Sequence, residues 1–121
     1  MEQKTIFIVD DFDTSLAETA SALQTDYNLL TMTSAKMMFK LLEKIKPDLI
    51  LLDVEMPEVN GFDVLAEMKA HPEWKAIPVI FLTSWFDQGL AVDALSLGAA
   101  DVINKPVNPS KLQTRVKQCI R

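Results

Sequence analysis

The sequence has one cysteine, three glycines and fewer basic than acidic residues. Each scarcity excludes a class of protein. A lone cysteine, Cys119, closes no internal disulfide, which points to a reducing compartment rather than a disulfide-stapled secreted domain. Three glycines in 121 residues exclude a collagen-like or linker-like chain. The 12 Lys and Arg face 17 Asp and Glu, a formal charge of -5. Displacing phosphate counterions needs a cationic face, so direct nucleic-acid binding is not expected. Long apolar runs are missing too. Only Thr5–Val9 separates the polar start from Asp10, too short for a signal peptide or a membrane span. The expectation is a soluble, cytoplasmic protein with one domain over residues 1–121.

Hydrophobic residues make up 49% and charged residues 24%, enough apolar surface for a packed core and too much for a disordered tail. Five short apolar runs recur: Thr5–Val9, Asn28–Met32, Asp48–Leu52, Ile77–Leu82 and Ala100–Asn104. The first, third and fourth are nearly continuous, as strands buried on both faces of a parallel sheet are. Helical spacing follows each run. Leu16, Ala20 and Leu23 mark a first helix, with Ser15 and Glu18 placed for a capping box. Ala35, Met38, Leu41, Leu42 and Ile45 mark a second behind the N-cap Ser34, and Pro47 limits it. Phe62, Leu65 and Met68 mark a third, entered through Gly61. Leu90, Ala94, Leu95 and Leu97 mark a fourth that stops at Gly98. Leu112, Val116, Cys119 and Ile120 mark a fifth, with Asn108 as N-cap and Pro109 at the first helical position. The order (βα)₅ implies an open parallel sheet with right-handed crossovers and helices on both faces.

Ligands in such sheets bind beyond the carboxyl ends of the strands. The residues there are Asp10 and Asp11 after the first strand, Asp53 after the third, Thr83 and Ser84 after the fourth, and Lys105 after the fifth. Taken singly, each has a plain explanation. An Asp pair caps a helix or makes a turn, Asp53 is a loop residue, Thr83 ends a strand and Lys105 is a solvated charge. Their convergence on one rim from four distant parts of the chain calls for another. Three crowded carboxylates favour a divalent cation, and hard oxygen ligands with no nearby Cys or His suit Mg²⁺ better than Zn²⁺. An ammonium and a hydroxyl stabilise a transferring phosphoryl group, and a carboxylate can accept one. The rim therefore reads as Mg²⁺-dependent phosphoryl chemistry.

At this point the sequence resembles the receiver domain of two-component response regulators over essentially its whole length. The resemblance rests on Val9-Asp10-Asp11, on the run from Pro47 to Pro57 with Gly61 beyond it, on Pro78–Ser84, on Leu97–Asp101 and on Lys105-Pro106. It implies a flavodoxin-like α/β fold, a doubly wound sheet of strand order 2-1-3-4-5. It also implies Asp53 as phosphoacceptor, Asp11 as direct metal ligand and Asp10 as holder of metal-bound water. The backbone carbonyl of Glu55 stands in the third protein ligand position. Thr83 and Lys105 would contact the phosphoryl group, and the Lys105–Pro106 bond would be cis. The implied donor is a sensor histidine kinase or histidine phosphotransfer protein, and the implied consequence is a shift of the fourth helix, fifth strand and fifth helix. The output would pass to a downstream domain or partner protein, since 121 residues hold one (βα)₅ unit.

Three positions depart from the family pattern. Val102 replaces the aromatic ring that usually rotates when the Thr moves. Trp85, two residues after Thr83, and Glu55, two after Asp53, stand where the family tunes the lifetime of the phosphoryl group. Asp101 and Arg115 match charges used for dimerisation through the fourth and fifth helices, whereas Ala91 and Lys111 do not, which leaves a weak homodimer by that mode open. Two rival functions would use the same residues. A Mg²⁺-dependent phosphatase would also use an aspartyl nucleophile, but a second Asp usually follows it where Glu55 stands, and no cap insertion is present. A pure interaction module would explain Val102, but not the retention of the other site residues. Flavin binding lacks the phosphate loop it needs after the first strand. Cys119, Met37 and Met38 are expected as packing residues, and His71 as a loop residue.

Overall fold

Period-two alternation decides how the apolar runs are used. In the computed structural model, which describes residues 3–57, 59–84 and 88–120, five strands form one parallel sheet. They are β1 (Thr5–Val9), β2 (Asn28–Met32), β3 (Leu49–Asp53), β4 (Val79–Thr83) and β5 (Asp101–Asn104), in the order β2-β1-β3-β4-β5. Phe7, Val9, Ile50, Leu52, Val79 and Phe81 point to one face and Ile6, Ile8, Leu49, Leu51, Ile80 and Leu82 to the other. All twelve are fully buried. The central strands thus serve two cores at once, which is why their sequences show no polar alternation.

Helices α2 (Ala35–Leu42), α3 (Gly61–Ala70) and α4 (Gln88–Ser96) lie over the first core. Helices α1 (Asp13–Leu23) and α5 (Pro109–Cys119) lie over the second. The expected doubly wound flavodoxin-like fold with strand order 2-1-3-4-5 is the fold observed. Expected caps at Ser34 and Asn108 also form. Ser34 Oγ accepts the Met37 amide at 3.2 Å and Asn108 Oδ1 accepts that of Lys111 at 3.0 Å. Asn60 caps α3 by accepting the Phe62 amide at 2.8 Å. Gly98 takes a φ of +108°, a conformation that side chains rarely adopt.

Several local expectations fail for physical reasons. The capping box of Ser15 and Glu18 does not form, because α1 begins at Asp13 and places Ser15 inside its first turn. Leu95 and Leu97 are more than half exposed, and α4 buries only Ala94. This helix flanks β5, the edge strand of the sheet. Met37 is exposed while its neighbour Met38 is fully buried, since adjacent helical positions point about 100° apart. Ile45 is exposed because α2 ends at Leu42. His71 lies just after α3 and its ring stacks on Trp74 at 3.8 Å. Cys119 is half-buried against the second core.

Candidate functional site

The rim predicted from the strand ends exists. Asp10 follows β1, Asp53 ends β3, Thr83 ends β4 and Lys105 follows β5. The backbone brings them together: the Asp10 amide donates to the Met32 carbonyl at 3.1 Å and the Lys105 amide to the Thr83 carbonyl at 2.7 Å. Asp10, Asp53 and Thr83 are buried, whereas Asp11 is exposed. Carboxylate oxygens from Asp10, Asp11 and Asp53 lie within 4.8 Å of one another. Lys105 Nζ reaches over the group, 2.7 Å from Asp10 Oδ2 and 3.4 Å from Asp53 Oδ2. The Lys105–Pro106 peptide bond is cis, as the resemblance implied.

Each buried charge has a different balance. Burial pushes the Asp10 carboxyl up, but hydrogen bonds from Lys105, Ser15 and the Phe12 amide outweigh it and hold Asp10 below the usual carboxylate range. Ser15, expected as a helix cap, lines the same cavity as Asp53 and Lys105. Burial dominates at Asp53 and pushes its carboxyl up to about 6, against a hydrogen bond from the Glu55 amide and the Lys105 charge. Neighbouring Asp10 adds to the rise. Two close carboxylates share one ammonium, and the one nearer to it keeps its charge more readily. The clustered hard oxygens fit a divalent cation of the Mg²⁺ type.

The loop after β3 fixes Glu55. Its amide donates to Asp53 Oδ1 at 3.0 Å, and Glu55–Met56 pairs antiparallel with Val59–Asn60. The hairpin closes through Gly61, whose amide donates to the Val54 carbonyl at 3.2 Å. A Cβ at Gly61 would stand 2.9 Å from Val54 Cα, so only glycine permits this approach. Sequence reasoning assigned Glu55 a backbone carbonyl and a tuning position but missed a task of its side chain. The Glu55 carboxylate accepts the Thr83 hydroxyl at 2.5 Å and the Ser84 amide at 3.1 Å. Ser84, noted only as the residue after Thr83, is thereby part of the site. Val102 is half-buried against the first core. Trp85 lies outside the described residues. Asp101 and Arg115, noted as interface charges, form an ion pair within the chain at 2.6 Å.

The family model described as the response regulator receiver domain matches residues 6–117. The chain belongs to that family. Among curated relatives, the receiver domain is 33% identical to Histidine kinase P4 of Formosa agariphila over 119 residues, covering 98% of this chain and 9% of that protein. It is 31% identical to response regulator PleD of Caulobacter vibrioides over 117 residues, covering 96% of this chain and 26% of that protein. The structure of the BeF3-activated DrrB receiver domain superposes with a TM-score of 0.84 at 27% identity, covering 97% of each chain. The receiver domain spans about a quarter or less of the length of the curated relatives named here. No helix among the described residues is long and apolar enough to cross a membrane.

Proposed function

We propose that Asp53 is the phosphoacceptor of this receiver domain. The observation that carries the reading is the position of its carboxylate, inside a triad of acids within 4.8 Å and 3.4 Å from an ammonium supplied by another strand end. An Asp53 oxygen attacks the phosphorus of a phosphohistidine on a sensor histidine kinase or phosphotransfer protein. The P–O bond forms as the P–N bond breaks, and the freed imidazole nitrogen keeps the electron pair and takes up a proton. Asp10, Asp11, Asp53 and the Glu55 carbonyl are the groups that would hold Mg²⁺, which when bound offsets the charge of the phosphoryl oxygens. Lys105 neutralises the same developing charge from the protein side, and Thr83 donates its hydroxyl to a phosphoryl oxygen.

Phosphorylation places about -1.5 to -2 of charge where about one unit stood. Thr83 and Lys105, at the ends of β4 and β5, are drawn toward it, and the switching face is α4-β5-α5. Val102 carries no aromatic ring to swing, so the change passes through Thr83 and the strand ends rather than through a rotating ring at this position. Trp85 is the remaining tuning residue, and Trp85→Ala is expected to change the dephosphorylation rate. Output goes to an attached domain or a partner protein in the cytoplasm, with no direct nucleic-acid or membrane contact by this domain. The Asp101–Arg115 pair, already satisfied within the chain, would have to exchange partners in any weak homodimer through α4-β5-α5.

The test is incubation with Mg²⁺ and a small phosphodonor, followed by mass measurement of the intact chain. One phosphoryl group per chain is expected, and none in Asp53→Asn. Absence of labelling, or labelling undiminished in Asp53→Asn, would overturn the reading. Continuous turnover of a phosphomonoester would replace it with a phosphatase.

A further inference from the structure

We propose that the Glu55 carboxylate is an internal stand-in for the phosphoryl group, holding Thr83 and Ser84 in the unphosphorylated domain, and that phosphorylation has to displace it. The inference rests on the reading of Asp53 as phosphoacceptor and concerns what occupies the phosphoryl donors beforehand. Glu55 Oε1 accepts the Thr83 hydroxyl at 2.5 Å, the Ser84 amide at 3.1 Å and the Ser84 hydroxyl at 3.4 Å. Oε2 accepts the Ser84 hydroxyl again at 3.2 Å. One anion thus gathers the polar groups at the end of β4, as a phosphoryl group on Asp53 would.

A threonine hydroxyl has one proton to donate. Thr83 therefore cannot serve Glu55 and a phosphoryl oxygen at the same time. Position makes the two acceptors direct competitors. Glu55 follows Asp53 by two residues, is tied to it through its own amide at 3.0 Å, and lines the same cavity of about 460 Å³ with Asp53, Ser84 and Lys105. Charge then sets the direction. A phosphoryl group repels the neighbouring carboxylate while offering Thr83 and Ser84 a more highly charged acceptor. The Glu55 side chain lies at the surface, so it has solvent to move into, and its loop stays anchored by the pairing with Asn60. Before phosphorylation, the Glu55 contacts bias Thr83 toward the resting arrangement; breaking them is part of the cost of switching.

The experiment is a beryllofluoride titration of the Mg²⁺-loaded chain, read by amide resonances in wild type, Glu55→Gln and Glu55→Ala. Both variants replace an exposed side chain, so folding should survive. Expected are an apparent affinity about tenfold tighter in Glu55→Ala, a smaller gain in Glu55→Gln, and a displaced Ser84 amide resonance in both variants before any addition. Repeating Glu55→Ala in a Thr83→Ala background separates the clamp from bare charge repulsion, and the gain is expected to shrink there. Unchanged or weaker affinity in the variants overturns the inference, as does a gain of equal size without the Thr83 hydroxyl. A wild type that takes up no beryllofluoride overturns the phosphoacceptor reading instead.

Discussion

Lys105 Nζ lies 2.7 Å from Asp10 Oδ2, an ion pair between residues 95 positions apart whose side chains are 14% and 0% exposed. The same ammonium is 3.4 Å from Asp53. Lys105 is therefore shared by two buried carboxylates, and a metal ion held by the acid cluster would compete with it for the same charge.

Removing that ammonium leaves buried charge uncompensated. Lys105→Met should destabilise the metal-free domain by about 3 kcal/mol, measured by urea unfolding at neutral pH. Added Mg²⁺ should restore more stability to the variant than to wild type, because its competitor for the carboxylates is gone. Equal Mg²⁺ stabilisation of both proteins would show that Lys105 and the metal do not share these carboxylates.

Asp53 sets a pH dependence of definite sign. Its carboxyl is pushed by burial from 3.8 to about 6, so its charged form is disfavoured by folding. The protonated group contributes full stability below about pH 3.8, and the contribution is lost as pH rises through about 6. Asp53→Asn removes this loss. In metal-free buffer the variant should match wild type near pH 4 and gain steadily to about pH 7, reaching on the order of 3 kcal/mol. Saturating Mg²⁺ should shrink or reverse the gain. Thermal unfolding across that pH range checks both signs.

Gly61 allows the β3–α3 loop to close on Val54, and an added Cβ would meet backbone rather than a flexible side-chain end. Gly61→Ala should lower stability by about 1–3 kcal/mol. It should also move the amide resonance of Glu55, which the Glu55–Met56/Val59–Asn60 pairing holds in place. A variant with wild-type stability and an unmoved Glu55 amide would show that the loop has slack.

Helix α4 buries Ala94 while its Val92 and Leu95, and Leu97 just past its end, face solvent. Leu95→Ser and Leu97→Ser should each change stability by no more than about 0.5 kcal/mol. Ala94→Leu should cost about 1–3 kcal/mol by overpacking. Chemical denaturation of the three variants tests the assignment of the helix face.

The sheet was legible because its signal is redundant. Ile6, Ile8, Ile50 and Ile80 belong to runs that make sense only when both faces are covered, and the gaps between runs match helix lengths. Caps were legible where one side chain serves one amide, as at Ser34 and Asn108. Ser15 misled because α1 begins two residues earlier, at Asp13, which puts the Ser15 hydroxyl inside the first turn and not at the cap. Leu95 and Leu97 misled because spacing marks an apolar stripe without saying how wide a surface it will meet.

Sequence by itself determined the (βα)₅ order and which polar residues stand at the strand ends, since buried strands and their terminal charges are written locally. It also carried the family membership, through Asp10, Asp11, Asp53, Thr83 and Lys105 in order. Tertiary structure alone decided how these charges divide their partners. Lys105 lies nearer Asp10 than Asp53, burial raises Asp53, and the Glu55 side chain takes the Thr83 hydroxyl. The first rests on a difference of under 1 Å between residues from separate strands, and sequence spacing does not encode distances across a sheet.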